Sequence, residues 1–172
     1  MKFKIDKKEN LYFDNRFLSS GVWLLDMDHF KINEYIQING EFGGLIKAKK
    51  PFVYSRKELT LAMPRKGIAE GIKKTFQDAQ NSIDNLSVIE INPTKVIVEL
   101  DKQKVRVLKR KDQSFAYIDE KYYKYFSWFT MCQKNNNDLT PVIFRYCNSA
   151  IGLCLPLRDE NGKIATELET IR

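Results

Sequence analysis

Histidine is almost absent from this chain. Its 172 residues hold one, His29, so any imidazole-based acid–base chemistry rests on that residue alone. Cysteine is scarce as well. There are three, Cys132, Cys147 and Cys154, with no Cys-x-x-Cys pair. That argues against a disulfide framework or a zinc ribbon and fits a reducing, intracellular setting. Cys147 and Cys154 have apolar neighbours and are expected to be buried as small hydrophobes. No apolar run approaches the roughly 18 residues of a membrane span. The amino end, MKFKIDKKENLYF, lacks the apolar core and small-residue cleavage site of a signal peptide. The expected location is cytoplasmic.

Catalytic signatures are missing too. No Gly-x-Ser-x-Gly elbow occurs, and GEFGG lacks the Gly-Lys-Ser/Thr ending of a phosphate loop. The group Asp26, Asp28 and His29 has ligand-type side chains, but aspartates capping a helix start are the simpler explanation. VELDKQK is loosely like a nuclease Glu/Asp-x-Lys core, yet no spaced upstream aspartate accompanies it. The chain is therefore expected to be non-enzymatic, without metal or cofactor. A metal-dependent nuclease is kept only as an alternative.

What the sequence does contain is an order of elements. Apolar residues at Ile68, Ile72, Phe76, Ala79, Ile83 and Leu86 recur every three or four positions and predict one buried helix face. LSVIEI is predicted as a strand ending at Asn92-Pro93. TKVIVEL and KVRVLKRK then form a hairpin, with Val105 and Val107 on its buried side and Lys104, Arg106 and Arg110 on its basic side. SFAYI is a strand, Asp119 caps the helix DEKYYKYFSWF, and PVIFRYC and AIGLCLP are two more strands.

The front of the chain runs in a similar order. WLLD is predicted as a strand leading into a helix, DMDHFKINEYI, with GGLIKA, PFVYS and ELTLAMPR as strands. Asp26 aligns with Asp119, Pro51 with Pro141 and Pro64 with Pro156, at nearly constant offset, which suggests an internal repeat. The expected fold is α+β: repeated strand–helix–strand–strand units, with sheets packed on about three helices. Three segments follow: a half-domain over 1–65, a complete unit over 66–158 and a polar tail over 159–172, whose DENGKIATELETIR reads either as tail or as a short helix.

This order, with FAYIDEKYYKYF, then TPVIF, then LCLPLR, resembles the bacterial DNA polymerase sliding clamp, the beta-clamp family. The resemblance covers about Gly67 to Arg158, with Gly21 to Arg65 as a preceding half-domain. Two departures stand out. Clamps are rings of six domains and this chain offers about one and a half, so encircling DNA would require an unusual homo-oligomer. Clamps also end at the arginine, whereas this chain runs 14 residues further. The resemblance implies a replication accessory that binds protein partners through an apolar peptide groove. By position, Leu153, Leu155, Pro156, Leu157 and Arg158 are its candidates. For Leu153 and Leu155 a plain core role stays open.

The balance of 29 basic against 22 acidic residues, net +7, favours acidic partners and leaves DNA open as one. Lys102, Lys104, Arg106, Lys109 and Arg110 on the hairpin could follow a phosphate backbone, with Lys73 and Lys74 on the long helix. A small nucleic-acid-binding protein of a phage, plasmid or other mobile element is accordingly the second reading. The helices offer Lys31, Lys73, Lys74, Lys121 and Lys124 against Glu34, Glu70, Asp78 and Glu120, which is not a strongly basic lining. In YYKYFSWF, the helical spacing of Tyr122, Phe126 and Phe129 predicts core, leaving Trp128 among the aromatics available for stacking.

Overall fold

A β-hairpin organises the carboxy-terminal half of the sheet. In the computed structural model, which describes residues 2–5, 7–30, 36–38, 40–100, 102–135, 139–159 and 162–170, Val88–Leu100 (β8) pairs antiparallel with Gln103–Arg110 (β9). The two strands predicted on either side of Asn92-Pro93 are one. A register shift between Pro93 and Ile97 absorbs the proline, which cannot donate to the ladder. Phe115–Asp119 (β10) follows on β9. Asp119 then caps Glu120–Phe126 (α3) by accepting the Lys121 N–H at 2.7 Å. The chain returns as Thr130–Lys134 (β11), which pairs with β8, and continues through Val142–Tyr146 (β12) and Ser149–Cys154 (β13).

The amino-terminal half is a second antiparallel set. Leu11–Phe13 (β2), Phe17–Ser19 (β3) and Trp23–Asp26 (β4) form a meander, and Phe52–Ser55 (β6) pairs back on β2 with Thr60–Ala62 (β7) outside it. The β13–β4 pair joins the halves into one eleven-stranded sheet, ordered β10-β9-β8-β11-β12-β13-β4-β3-β2-β6-β7. Phe3–Ile5 (β1) and Ile36–Ile38 (β5) form a separate parallel pair.

Different helices cover the two faces. Phe42 and Ile46 of Gly40–Lys47 (α1), with Tyr122 and Phe126 of α3, pack on the face that presents Leu25, Leu108, Ile118 and Phe144. Phe76, Ala79 and Ile83 of Lys66–Asp84 (α2) pack on the other, against Phe17, Leu24, Ile143 and Leu153. Alternation along the strands makes this division possible: Leu24 faces α2 while Leu25 faces α3. Among the described residues no helix is long and apolar enough to cross a membrane.

Two further expectations change. GGLIKA is part of α1 rather than a strand, because Phe42 and Ile46, four apart, are both buried and tertiary packing outweighs the glycines. The helix expected over DMDHFKINEYI does not form at its start: Asp26 ends β4 and Met27–His29 are turn. Its residues 31–35, with Lys31 and Glu34, lie outside the described residues. Of the two readings of the polar tail, the short helix is the one found: Lys163–Thr170 (α4), whose Ile164 is fully buried against Val98, Val105 and Val107.

Candidate functional site

Helix α2 overhangs the sheet at its amino end, and the overhang makes a groove. Its predicted apolar stripe is buried at Phe76, Ala79 and Ile83 but emerges toward the amino end, where Ile68 is 45% exposed, while Leu86, expected on the same face, lies exposed beyond the end of the helix. Beneath it run the ends of β4 and β13. The cavity between them has a volume of about 350 Å³. Ile68, Ile72 and Thr75 form one wall, Val22 and Leu155 the other, and Leu24 and Leu153 the floor. Gly67 and Gly71 line the helix side, where a Cβ would meet nothing within 4 Å, so the space stays open. The Leu155 N–H donates to the Val22 carbonyl at 2.8 Å and fixes the far wall. None of the lining residues carries an ionisable side chain.

The five residues expected to form a peptide groove divide between two places. Leu153 is buried in the core under α2 and also floors the cavity, so core and groove are not exclusive there. Leu155 is 45% exposed at the rim. The chain then leaves the groove at half-buried Pro156. The Leu157 N–H donates to the Tyr117 carbonyl on β10 at 2.7 Å, and its side chain packs toward Val98 and Val105. Leu157 and exposed Arg158 line a different cavity of about 280 Å³, beside Phe115 and Leu139. Among the groove residues missed in the sequence are Val22, Leu24, Ile68, Ile72 and Thr75. The signal was present: a helical stripe that begins at Ile68, at the very start of the helix, outruns the sheet beneath it.

The basic residues divide as well. Lys102, Lys104 and Lys109 are exposed. Arg106 is not available. Its Nε and Nη2 donate to both oxygens of Glu120 at 2.6 and 2.8 Å, its Nη1 donates to the Thr94 carbonyl at 2.8 Å, and its guanidinium lies 4.6 Å from the Tyr123 ring centre. Arg110 is 3% exposed and donates to Gln133 and Asp112. The hairpin therefore has two covered sides, with α4 over the valines and α3 over Arg106. Lys73 and Lys74 are exposed on α2, far from the hairpin. Lys73 lies 3.8 Å from Asp14, in the other half of the strand order.

Asp26 is fully buried. It accepts from Arg16 at 3.1 and 2.7 Å, from the Asp28 N–H at 3.1 Å and bonds the His29 Nδ1 at 3.0 Å. Burial pushes its carboxyl up, but these bonds outweigh burial and hold it below the ordinary carboxylate value. Among the described residues no group of three His, Cys, Asp or Glu side chains is placed to hold a metal ion. Cys154 is buried as expected, and burial raises its thiol to about 12. Cys147 is exposed instead, in the β12–β13 turn with φ 54°. Trp128 is 79% exposed, whereas Tyr122 and Phe126 are core. No protein-family model, no curated protein and no solved structure matches the chain.

Proposed function

We propose that this chain is a non-enzymatic interaction protein of sliding-clamp type, which receives a short apolar peptide of a replication partner in the groove between α2 and the ends of β4 and β13. The observation that carries this reading is the groove itself. It is open and about 350 Å³, with exposed Val22, Ile68 and Leu155 at its rim and no ionisable lining. Such a site suits one or two large apolar side chains and offers nothing for acid–base work. The order of pairing supports a repeated architecture. Each half has a three-stranded meander, then a helix, then a strand that returns to the meander's first strand. In that comparison β6 corresponds to β11, not to β12 as the Pro51–Pro141 alignment has it. The placement of α2 on the face opposite α1 and α3 departs from a clamp, whose helices lie on one side.

The test is a titration of the whole protein against a fluorescent peptide carrying a Leu-Phe pair. Saturable binding is expected, weakened at least about tenfold by Leu155→Asp or Ile68→Asp, since each places a charge in an apolar site. Equal binding by the folded variants overturns the groove. The nucleic-acid reading is favoured by one observation, the exposed Lys102, Lys104 and Lys109. It is tested by the salt dependence of DNA binding in Lys104→Glu with Lys109→Glu.

A further inference from the structure

The sheet ends in its amino-terminal half on β7, whose only strand neighbour among the described residues is β6. Every residue from Arg56 to Met63 is exposed. Three large apolar side chains alternate along this edge: Leu59, Leu61 and Met63 are 72%, 41% and 75% exposed. Leu61 stands opposite Tyr54 and so projects on the face of that buried ring. Leu59 holds φ 54°, a left-handed conformation that is costly for a leucine. Edge strands are usually blunted by an inward charge, a proline or a covering segment, because their free amides and carbonyls template pairing. β7 is short, at three residues, but Thr60, Leu61 and Ala62 carry no charge or proline, and they are exposed among the described residues. The nearest charges and the nearest proline, Pro64, flank them.

The opposite edge is different. There the Tyr117 carbonyl of β10 already accepts the Leu157 N–H, so the chain partly fills that edge itself. A second copy pairing β7 with β10 would have to displace this segment. A second copy pairing β7 with β7, antiparallel about Leu61, would bring Lys57 level with Arg65, like charge against like. The flanks Arg56, Lys57 and Arg65 outnumber Glu58, and they call for acid on the incoming strand.

We infer that the β7 edge is a strand-addition site for an extended partner segment with alternating apolar residues and acidic flanks. Main-chain pairing supplies affinity, Leu59, Leu61 and Met63 meet the apolar positions, and the basic flanks set direction and salt dependence. The site shares no residue with the groove on α2, and neither depends on the other.

The probe is a labelled peptide, Asp-Glu-Val-Thr-Val-Thr-Val-Glu-Asp, titrated by anisotropy against the whole protein. It is expected to bind about tenfold more tightly than the same core with lysine flanks, and to weaken as salt rises. A probe with prolines in place of the threonines is expected not to bind, since proline cannot join the ladder. Leu61→Glu with Met63→Glu abolishes binding while Leu155→Asp leaves it unchanged, and thermal unfolding shows that both variants are folded. Any of three results overturns the inference: no binding, equal binding of the lysine- or proline-containing probe, or equal binding by the folded Leu61→Glu with Met63→Glu variant. A concentration-dependent dimer that Leu61→Glu dissolves also overturns it, and assigns the edge to a second copy.

Discussion

Arg106 on β9 and Glu120 on α3 form a two-point ion pair, with Nε to Oε2 at 2.6 Å and Nη2 to Oε1 at 2.8 Å. Their side chains are only 13% and 4% exposed. This pair fastens the helix to the hairpin, and it changes the meaning of a basic strand. A residue that reads in the sequence as a phosphate contact is a structural clasp.

The first prediction follows from burial. Removing one partner leaves the other charge short of compensation, since Glu120 keeps only the longer contact to Lys124 at 3.8 Å, and breaking buried pairs costs on the order of 3–5 kcal/mol. Arg106→Ala and Glu120→Ala are each expected to lower the unfolding free energy measured by urea denaturation by that amount. The double variant Arg106→Ala with Glu120→Ala is expected to lose much less than the sum of the singles. Additive losses in the double-mutant cycle would show that the pair is not coupled.

The α2 groove and the clasp show what the sequence could and could not disclose. The hairpin with β10, the last two strands, the Asp119 cap and most of the helical stripe were legible, because each rests on local spacing or local hydrogen bonding, whereas β1, β2, β3, β5 and β11 were not read, and Leu86, expected to end the stripe, lies exposed beyond α2. Arg106 was not, since its partner lies 14 positions away and only the β9–β10 register brings α3 over it. The α1 helix was hidden by three glycines in GEFGG, and the burial of Ile164 on α4 by the polar residues around it. Groove and core shared one signal. Ile68 and Phe76 belong to the same stripe, and only the extent of the sheet decides which is covered.

Acid stability offers a second prediction. Asp26 has a folded-state carboxyl held below its ordinary value, mainly by Arg16 working against burial. A lowered folded value means that the stabilisation is present in full above the unfolded carboxylate value of about 4. It is lost as pH falls through the lower, folded value. Asp26→Asn is expected to be less stable at pH 7 by about 1–3 kcal/mol, the smaller end reflecting a half-exposed Arg16. Its stability should also fall less steeply with acid. Parallel pH profiles for the two proteins in urea unfolding would refute the assignment.

Thiol accessibility gives a third. Of the three cysteines, Cys132 and Cys154 are buried and Cys147 is exposed. Burial raises the first two thiols to about 11 and about 12, so they hold little thiolate at neutral pH. Native protein is expected to react quickly with an aromatic disulfide reagent at one thiol. The other two should react only as the protein unfolds, and Cys147→Ser should abolish the fast phase.

The last prediction concerns the seam between the halves of the sheet. Gly152 on β13 pairs with Leu25 on β4. A Cβ built there would lie 3.2 Å from the Leu24 carbonyl oxygen, 3.3 Å from Leu25 Cδ2 and 3.3 Å from Phe126 Cε1. The two side chains can shift by a few tenths of an ångström, but the carbonyl is held in the sheet. Overpacking of this kind costs about 1–3 kcal/mol, so Gly152→Ala is expected to lower stability within that range. The strain falls where β13 meets β4, next to Leu153, which floors the α2 groove. The variant is therefore expected to weaken groove peptides more than its stability loss alone explains, while leaving the β7 probe unaffected. Unchanged stability would show that the seam has room to spare, and that the glycine is not what lets β13 and β4 approach beneath α3.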